Sequence, residues 1–152
     1  MSPTGGLPAR AGGAIFMSLR AYERHAVGRA YPDNAAFLVD LPNRGSFSPD
    51  ASFHAAIVVG MEFVAGAPVF AAEVRSKGDY GPAAEAAMAA KRAEYFAAGT
   101  VVVWDVDLLG SDAVRAYRFD DPDHPTCFHR GEIADAEPAL PGWRMAVDEL
   151  FG

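Results

Sequence analysis

Asp50 follows Pro49 near an expected strand start, and Glu73 lies 23 residues later inside the apolar run Val69 to Val74. Two neighbouring strands would bring such carboxylates together. A pair of this kind suits Mg²⁺, with Mn²⁺ as a substitute, because magnesium takes one or two protein carboxylates and completes its octahedron with water and substrate oxygens. The chemistry such an ion supports is phosphodiester hydrolysis, which needs charge stabilised on the phosphoryl oxygens and a hydroxide-like nucleophile. Taken singly, each acid has an ordinary explanation: Asp50 after Pro49 as turn chemistry, Glu73 as an exposed residue on an edge strand.

A cation beside the acids would orient the attacking water or stabilise charge, and three compete for that place. Arg75 and Lys77 follow Glu73 by two and four residues. In a continuous strand they point the same way, with Arg75 roughly 7 Å along. Lys91 comes from a helix, where Met88, Lys91 and Tyr95 share one face at i, i+3 and i+7. A lysine on such a stripe either snorkels to water or delivers its ammonium to a site at the helix edge. Arg92 and Phe96 define another face, so periodicity alone does not choose the inward cation.

Other groups point nowhere as definite. His25, His54, His124 and His129 lack the two-histidine helical spacing of a zinc site, and Gly60 to Gly66 matches neither a P-loop nor a dinucleotide fingerprint. Asp105 and Asp107 read more simply as turn residues after a buried strand than as supports for a site. The lone Cys127 has no partner for an internal disulfide and reads as a small residue in a strand or loop.

A frame of strands and helices must position these side chains. Residues 1 to 13, with Gly5, Gly6, Gly12, Gly13, Pro3 and Pro8, predict a flexible lead-in with little regular structure. Ile15, Leu19, Tyr22 and Ala26 recur at helical spacing, which predicts a helix from Ala14 to Val27 closed by Gly28. Ala35 to Val39 has the length and bounds of a strand, and a second strand is expected from near Asp50. The stretch from Ala55 to Pro68 stays open between strand and loop. In an extended Val69 to Arg75, residues Val69, Ala71, Glu73 and Arg75 share one face, and Phe70, Ala72 and Val74 the other. Pro82 opens an Ala-rich helix that Gly99 closes. Val101 to Trp104 and Ala113 to Phe119 predict further strands, Asp120 to Pro125 a loop, and Val147 to Phe151 a short terminal helix. Strand, helix and strand over 69 to 104 suit a right-handed crossover between parallel strands.

Composition sets the outer bounds. The chain has 152 residues, 51 % hydrophobic and 22 % charged, which suits a single domain with its own core. No apolar run is long enough for a membrane span and the first residues do not resemble a signal peptide, so the expected location is the cytoplasm. The net charge of −7 argues against broad electrostatic binding to nucleic acid, where Lys and Arg must displace counterions. It leaves room for a local basic groove, and carboxylates that hold a metal make the bare chain look more acidic than the loaded protein.

Several segments carry a family resemblance. Ser2-Pro3-Thr4-Gly5-Gly6, Ser48-Pro49-Asp50, Ala67 to Ser76, Lys91 to Thr100, Val103-Trp104-Asp105-Val106-Asp107 and Leu140-Pro141-Gly142-Trp143-Arg144 resemble, in order, segments of the Uma-type restriction endonucleases. The likeness covers nearly the whole chain. It implies an α/β fold of the restriction-endonuclease-like PD-(D/E)XK type, a mixed β-sheet flanked by helices, with Asp50 and Glu73 at the acidic positions. In the general motif a lysine stands two residues after the second acid, where this chain has Arg75. In the Uma-type pattern a lysine on the following helix takes that role, and Lys91 matches it. Arginine stays protonated and cannot act as a base, so Arg75 is expected to contact phosphate or water. Family members also carry further residues, including a strand with an acidic residue, ahead of the segment that resembles Ser2 to Gly6.

The resemblance and the residues together imply a Mg²⁺-dependent endonuclease acting on DNA through Asp50, Glu73 and Lys91. Two rivals differ in kind: a binding or assembly module that kept the nuclease core without turnover, and an enzyme using the same acids on another phosphate or small molecule. A homodimer would suit cutting of both strands, since two-fold symmetry matches that of a duplex.

Overall fold

A computed structural model describes residues 4–152; Ser2 and Pro3 of the first family-like segment lie outside the described residues. Helix α1 runs Gly6–Tyr22, so the segment expected to be irregular is helical from Gly6 onward. Its buried residues Ala11, Gly12, Ile15 and Leu19 explain the difference. Pro8 falls in the first turn, where N–H groups have no helical partner in any case, and packing outweighs the poor helix propensity of the glycines. The helix gives way after Tyr22 to a 3₁₀ turn, Glu23–His25.

Strands follow in the order β1 (Arg29–Tyr31), β2 (Phe37–Leu41), β3 (Arg44–Phe47), β4 (Ala51–His54), β5 (Val64–Ala65) and β6 (Phe70–Val74). Helix α2 (Pro82–Ala97) then leads to β7 (Val102–Val106), β8 (Val114–Arg118), β9 (Asp121–Phe128), β10 (Ile133–Asp135), β11 (Arg144–Ala146) and a last 3₁₀ turn, Val147–Leu150. Six strands make the main sheet in the order β1-β4-β6-β7-β8-β9, in which only β6 and β7 are parallel. A second sheet runs β3-β2-β5, and β10 pairs with β11. Gly28 enters β1 at φ +127°, where any Cβ would strike the His54 carbonyl and the Phe53 ring.

The alternation expected in β6 is observed. Phe70, Ala72 and Val74 join the large core under α1 with Phe53, Val102, Trp104, Val106, Val114, Trp143 and Leu150. Ala71 faces the other way, into a small cluster with Phe47, Tyr95 and Val103 under α2. The crossover from β6 through α2 to a parallel β7 is likewise as expected. The Asp120 to Pro125 segment, by contrast, is not a loop: most of it lies in β9, the outer strand of the main sheet. Two prolines fit there because an edge strand needs ladder hydrogen bonds on one side only. No described helix is long and apolar enough to cross a membrane.

Candidate active site

The antiparallel register of β4 and β6 pairs Ala51 with Ala72 and Phe53 with Phe70. Continued by one residue, it sets Asp50 across from Glu73. Two hydrogen bonds fix that end of the pair: the Asp50 N–H donates to the Ala72 carbonyl at 3.1 Å, and the Val74 N–H donates to Asp50 Oδ2 at 2.7 Å. The Asp50 carboxyl is pushed up to about 6, first by burial and then by the negative charge of Glu73. The Val74 bond and Lys91 act in the opposite direction, and Asp33 adds to the repulsion. The two acids predicted from the sequence therefore share one electrostatic site.

Glu73 Oε1 is held from α2 by two residues one helical turn apart. The Lys91 ammonium sits 2.8 Å away, and the Tyr95 hydroxyl donates at 2.6 Å. Tyr95 is fully buried and stacked on Phe47 at 4.0 Å between ring centroids, which fixes its hydroxyl in place. Burial, then the neighbouring Glu73 charge, raise its pKa well above the ordinary phenol value, so it stays a donor. Helical spacing puts Tyr95 on the Lys91 face without assigning it to the site. The signal was that shared face, and what it lacked was the Phe47 contact.

Asp50 Oδ1 and Glu73 Oε2 accept no hydrogen bond among the described residues. No group of three or more His, Cys, Asp or Glu side chains suited to a metal occurs among them either. Two carboxylates with free oxygens, repelling each other in a partly buried place, fit a hard divalent cation that keeps water as its remaining ligands. They do not fit a closed zinc site.

Arg75, expected from the sequence as a phosphate or water contact, is placed differently. Its Nε and Nη2 donate to the two Asp105 oxygens at 2.9 and 2.7 Å, and Glu85 takes one bond from each Nη. The fifth N–H goes to the Asp79 carbonyl at 3.3 Å. All five guanidinium donors thus have protein acceptors, and the side chain is 3 % exposed. Asp105 is a buried strand residue in this ion-pair network, against the simpler turn reading. Asp107 does cap a turn, accepting from the Leu109 and Gly110 N–H groups and from the Tyr80 hydroxyl. Lys77 lies beyond the end of β6.

Between α2 and the sheet, these residues border a cavity of about 240 Å³. Glu73, Lys91 and Tyr95 line one part, Arg75, Arg92 and Asp105 another, and Ala84, Ala87 and Met88 form the helical wall. The space follows from sequence: the first turns of α2 present alanines to the sheet, too short to fill the layer. Asp50 borders a second hollow of about 210 Å³ on the α1 side, with Gly12, Gly13 and Asp33. The acidic pair thus stands between two concavities.

Comparison with known proteins fits this geometry. A crystal structure of a protein from Anabaena variabilis, described as a putative nuclease belonging to DUF820, superposes with a TM-score of 0.75. The match covers 99 % of this chain and 83 % of that one at 15 % sequence identity, a likeness that establishes the fold. The restriction-endonuclease-like mixed sheet flanked by helices is therefore the architecture of this chain. No curated protein sequence is significantly similar to it. The profile of the Uma2 family, described as "putative restriction endonuclease", matches residues 1–148, and the chain belongs to that family.

Proposed function

We propose that this protein is a metal-dependent DNA endonuclease whose active site is Asp50, Glu73 and Lys91. The observation that carries the reading is the meeting of Asp50 and Glu73 on paired strands, each with a free oxygen, with Lys91 of the next helix on Glu73 at 2.8 Å. Asp50 and Glu73 would hold Mg²⁺ or Mn²⁺, which supplies Lewis-acid stabilisation of phosphoryl charge and an activated nucleophile. Tyr95 and Lys91 fix one Glu73 oxygen and leave the other to face the cation. The Lys91 ammonium has three N–H donors and, among the described residues, one acidic partner, so two remain for a phosphoryl oxygen or the attacking water. Arg75 holds β6, β7 and the start of α2 together and takes no part in the chemistry.

The net charge of −7 favours a second reading, a module with a nuclease core that binds a partner and does not turn over. Cleavage of plasmid and single-stranded DNA with Mg²⁺ or Mn²⁺, by wild type, Glu73→Ala and Lys91→Ala, separates the two. Metal-dependent cutting lost in both variants is the expected result. Absence of cutting, together with absence of metal-induced thermal stabilisation, would favour the binding module.

A further inference from the structure

Three arginines surround Asp105, and among the described residues only Arg75 is hydrogen-bonded to it. Arg75 takes both carboxylate oxygens at hydrogen-bonding distance. Arg92 and Arg115 stand off at 3.8 and 3.9 Å, and neither donates a hydrogen bond among the described residues. Arg115 lies within 3.9 Å of Asp107 and Asp112 as well, so acids confine it. Among the described residues Arg92 has no acid within ion-pair distance besides Asp105, whose two oxygens Arg75 already engages. Its side chain is nevertheless only 15 % exposed. The stem is thus largely covered while the guanidinium nitrogens still reach water, so the donors are open to a ligand.

Arg92 is also held in place. Its guanidinium carbon lies 3.9 Å from the centre of the Tyr117 ring, a stacking contact that restrains the plane and leaves the N–H groups at its edge. The register puts Tyr117 opposite Val103, one of the residues lining the cavity that Arg92 shares with Glu73 and Lys91. A cation with unused donors, braced by an aromatic ring and lining the same cavity as Glu73 and Lys91, is suited to a planar bidentate grip on a phosphate.

We infer that Arg92, positioned by Tyr117, forms a phosphate-binding subsite beside the acidic pair, gripping a neighbouring phosphate of the bound nucleic-acid strand. The inference rests on the nuclease reading for the identity of the strand and assigns how that strand is held. Arg92 is a binding residue here, and Tyr117 a positioning residue that acts through it.

The test is fluorescence-anisotropy titration of labelled single-stranded and duplex oligonucleotides without divalent metal, across a range of salt, run beside the cleavage assay. Wild type, Arg92→Gln, Arg92→Lys, Tyr117→Phe and Tyr117→Leu are compared, with thermal unfolding as a check that each is folded. Arg92→Gln is expected to weaken binding about tenfold and to lower the salt slope by about one phosphate contact. Arg92→Lys should restore the slope and only part of the affinity. Tyr117→Phe should match wild type, since the ring suffices, while Tyr117→Leu should weaken binding by a smaller factor. If wild type binds and cuts while folded Arg92→Gln matches it in affinity and salt slope, the subsite is overturned and the nuclease reading stands. If wild type binds without cutting and Arg92→Gln binds weakly, the subsite stands and turnover is overturned. A wild type that binds neither oligonucleotide overturns the subsite, and one that also fails to cut with Mg²⁺ or Mn²⁺ overturns both.

Discussion

Glu73 lies in β6 and Arg75 just past its end, two residues apart, yet their surroundings follow opposite rules. Around Arg75 every donor has an acceptor, and the charges of Asp105 and Glu85 are met by bidentate geometry. Around Glu73 and Asp50 two like charges are held close, with an unmatched oxygen on each. Satisfied networks rigidify a fold, whereas repulsion retained in a partly buried place signals a missing partner. The Arg75 network therefore belongs to the architecture, although Arg75 stands two residues after Glu73, where the family resemblance leads one to expect a lysine.

The contrast breaks most readily at Arg75. Arg75→Gln leaves Asp105 buried without its main cation, and loss of one member of such a pair costs about 3–5 kcal/mol. The expected result is a fall in Tm of roughly 10 °C, with Arg75→Lys also clearly destabilised because lysine cannot reproduce the fork. A variant as stable as wild type would show that the network is not structural. Lys91→Ala should do the reverse: a stability change within about 1 kcal/mol, as for a partly exposed pair, with cleavage reduced about 100-fold or more. Comparable losses in stability and activity would show that Lys91, like Arg75, holds the fold together.

Asp50→Asn sharpens it further. The folded carboxyl binds its proton more tightly than the unfolded one, at about 6 against 3.8. Below that window both states are protonated and the penalty is absent. As pH rises from about 4 to 6 the unfolded chain ionises first, so stability falls, and the penalty is complete above about 6. The shift of roughly two pH units corresponds to about 2–3 kcal/mol at most. Denaturant unfolding should therefore find Asp50→Asn more stable than wild type at pH 7, with little difference near pH 4. The same variant should lose the thermal shift that Mg²⁺ or Mn²⁺ gives the wild type, a shift that itself should be larger at pH 7 than at pH 5. The smallest effect on cleavage belongs to Tyr95→Phe, which keeps the Phe47 stack and removes one hydrogen bond to a charged group. A loss of about 1.5 kcal/mol and a several-fold drop in cleavage are expected.

How much of this was legible in the sequence differs by residue. The faces of β6 followed from strict alternation, and α2 from Pro82, its alanines and Gly99, because local spacing carries those signals. Asp50, Glu73 and Lys91 emerged from residue type and family-like segments, and the structure brings all three to one place. The partners of Arg75 are not legible locally, because they are Asp105, 30 residues away, and Glu85, which no local pattern links to it. Helix α1 from Gly6 and strand β9 were missed for a related reason. Glycine and proline mark breaks only until tertiary packing outweighs their intrinsic preferences. Arg92 was seen only as lying on a different helical face from Lys91; its stacking on Tyr117 joins α2 to β8 across the sheet.

The β9 edge has a consequence for the molecule in crowded solution. An exposed strand is a template for another chain, and sheets with long open edges polymerise. Here the outermost strand carries Pro122 and Pro125, which offer no N–H, and Asp121 and Asp123, which repel a like copy. At the opposite edge β1 is three residues long. Both margins of the main sheet are thus poor templates, so the sheet resists growth by strand addition, and two copies assembling as a pair would meet through other surfaces.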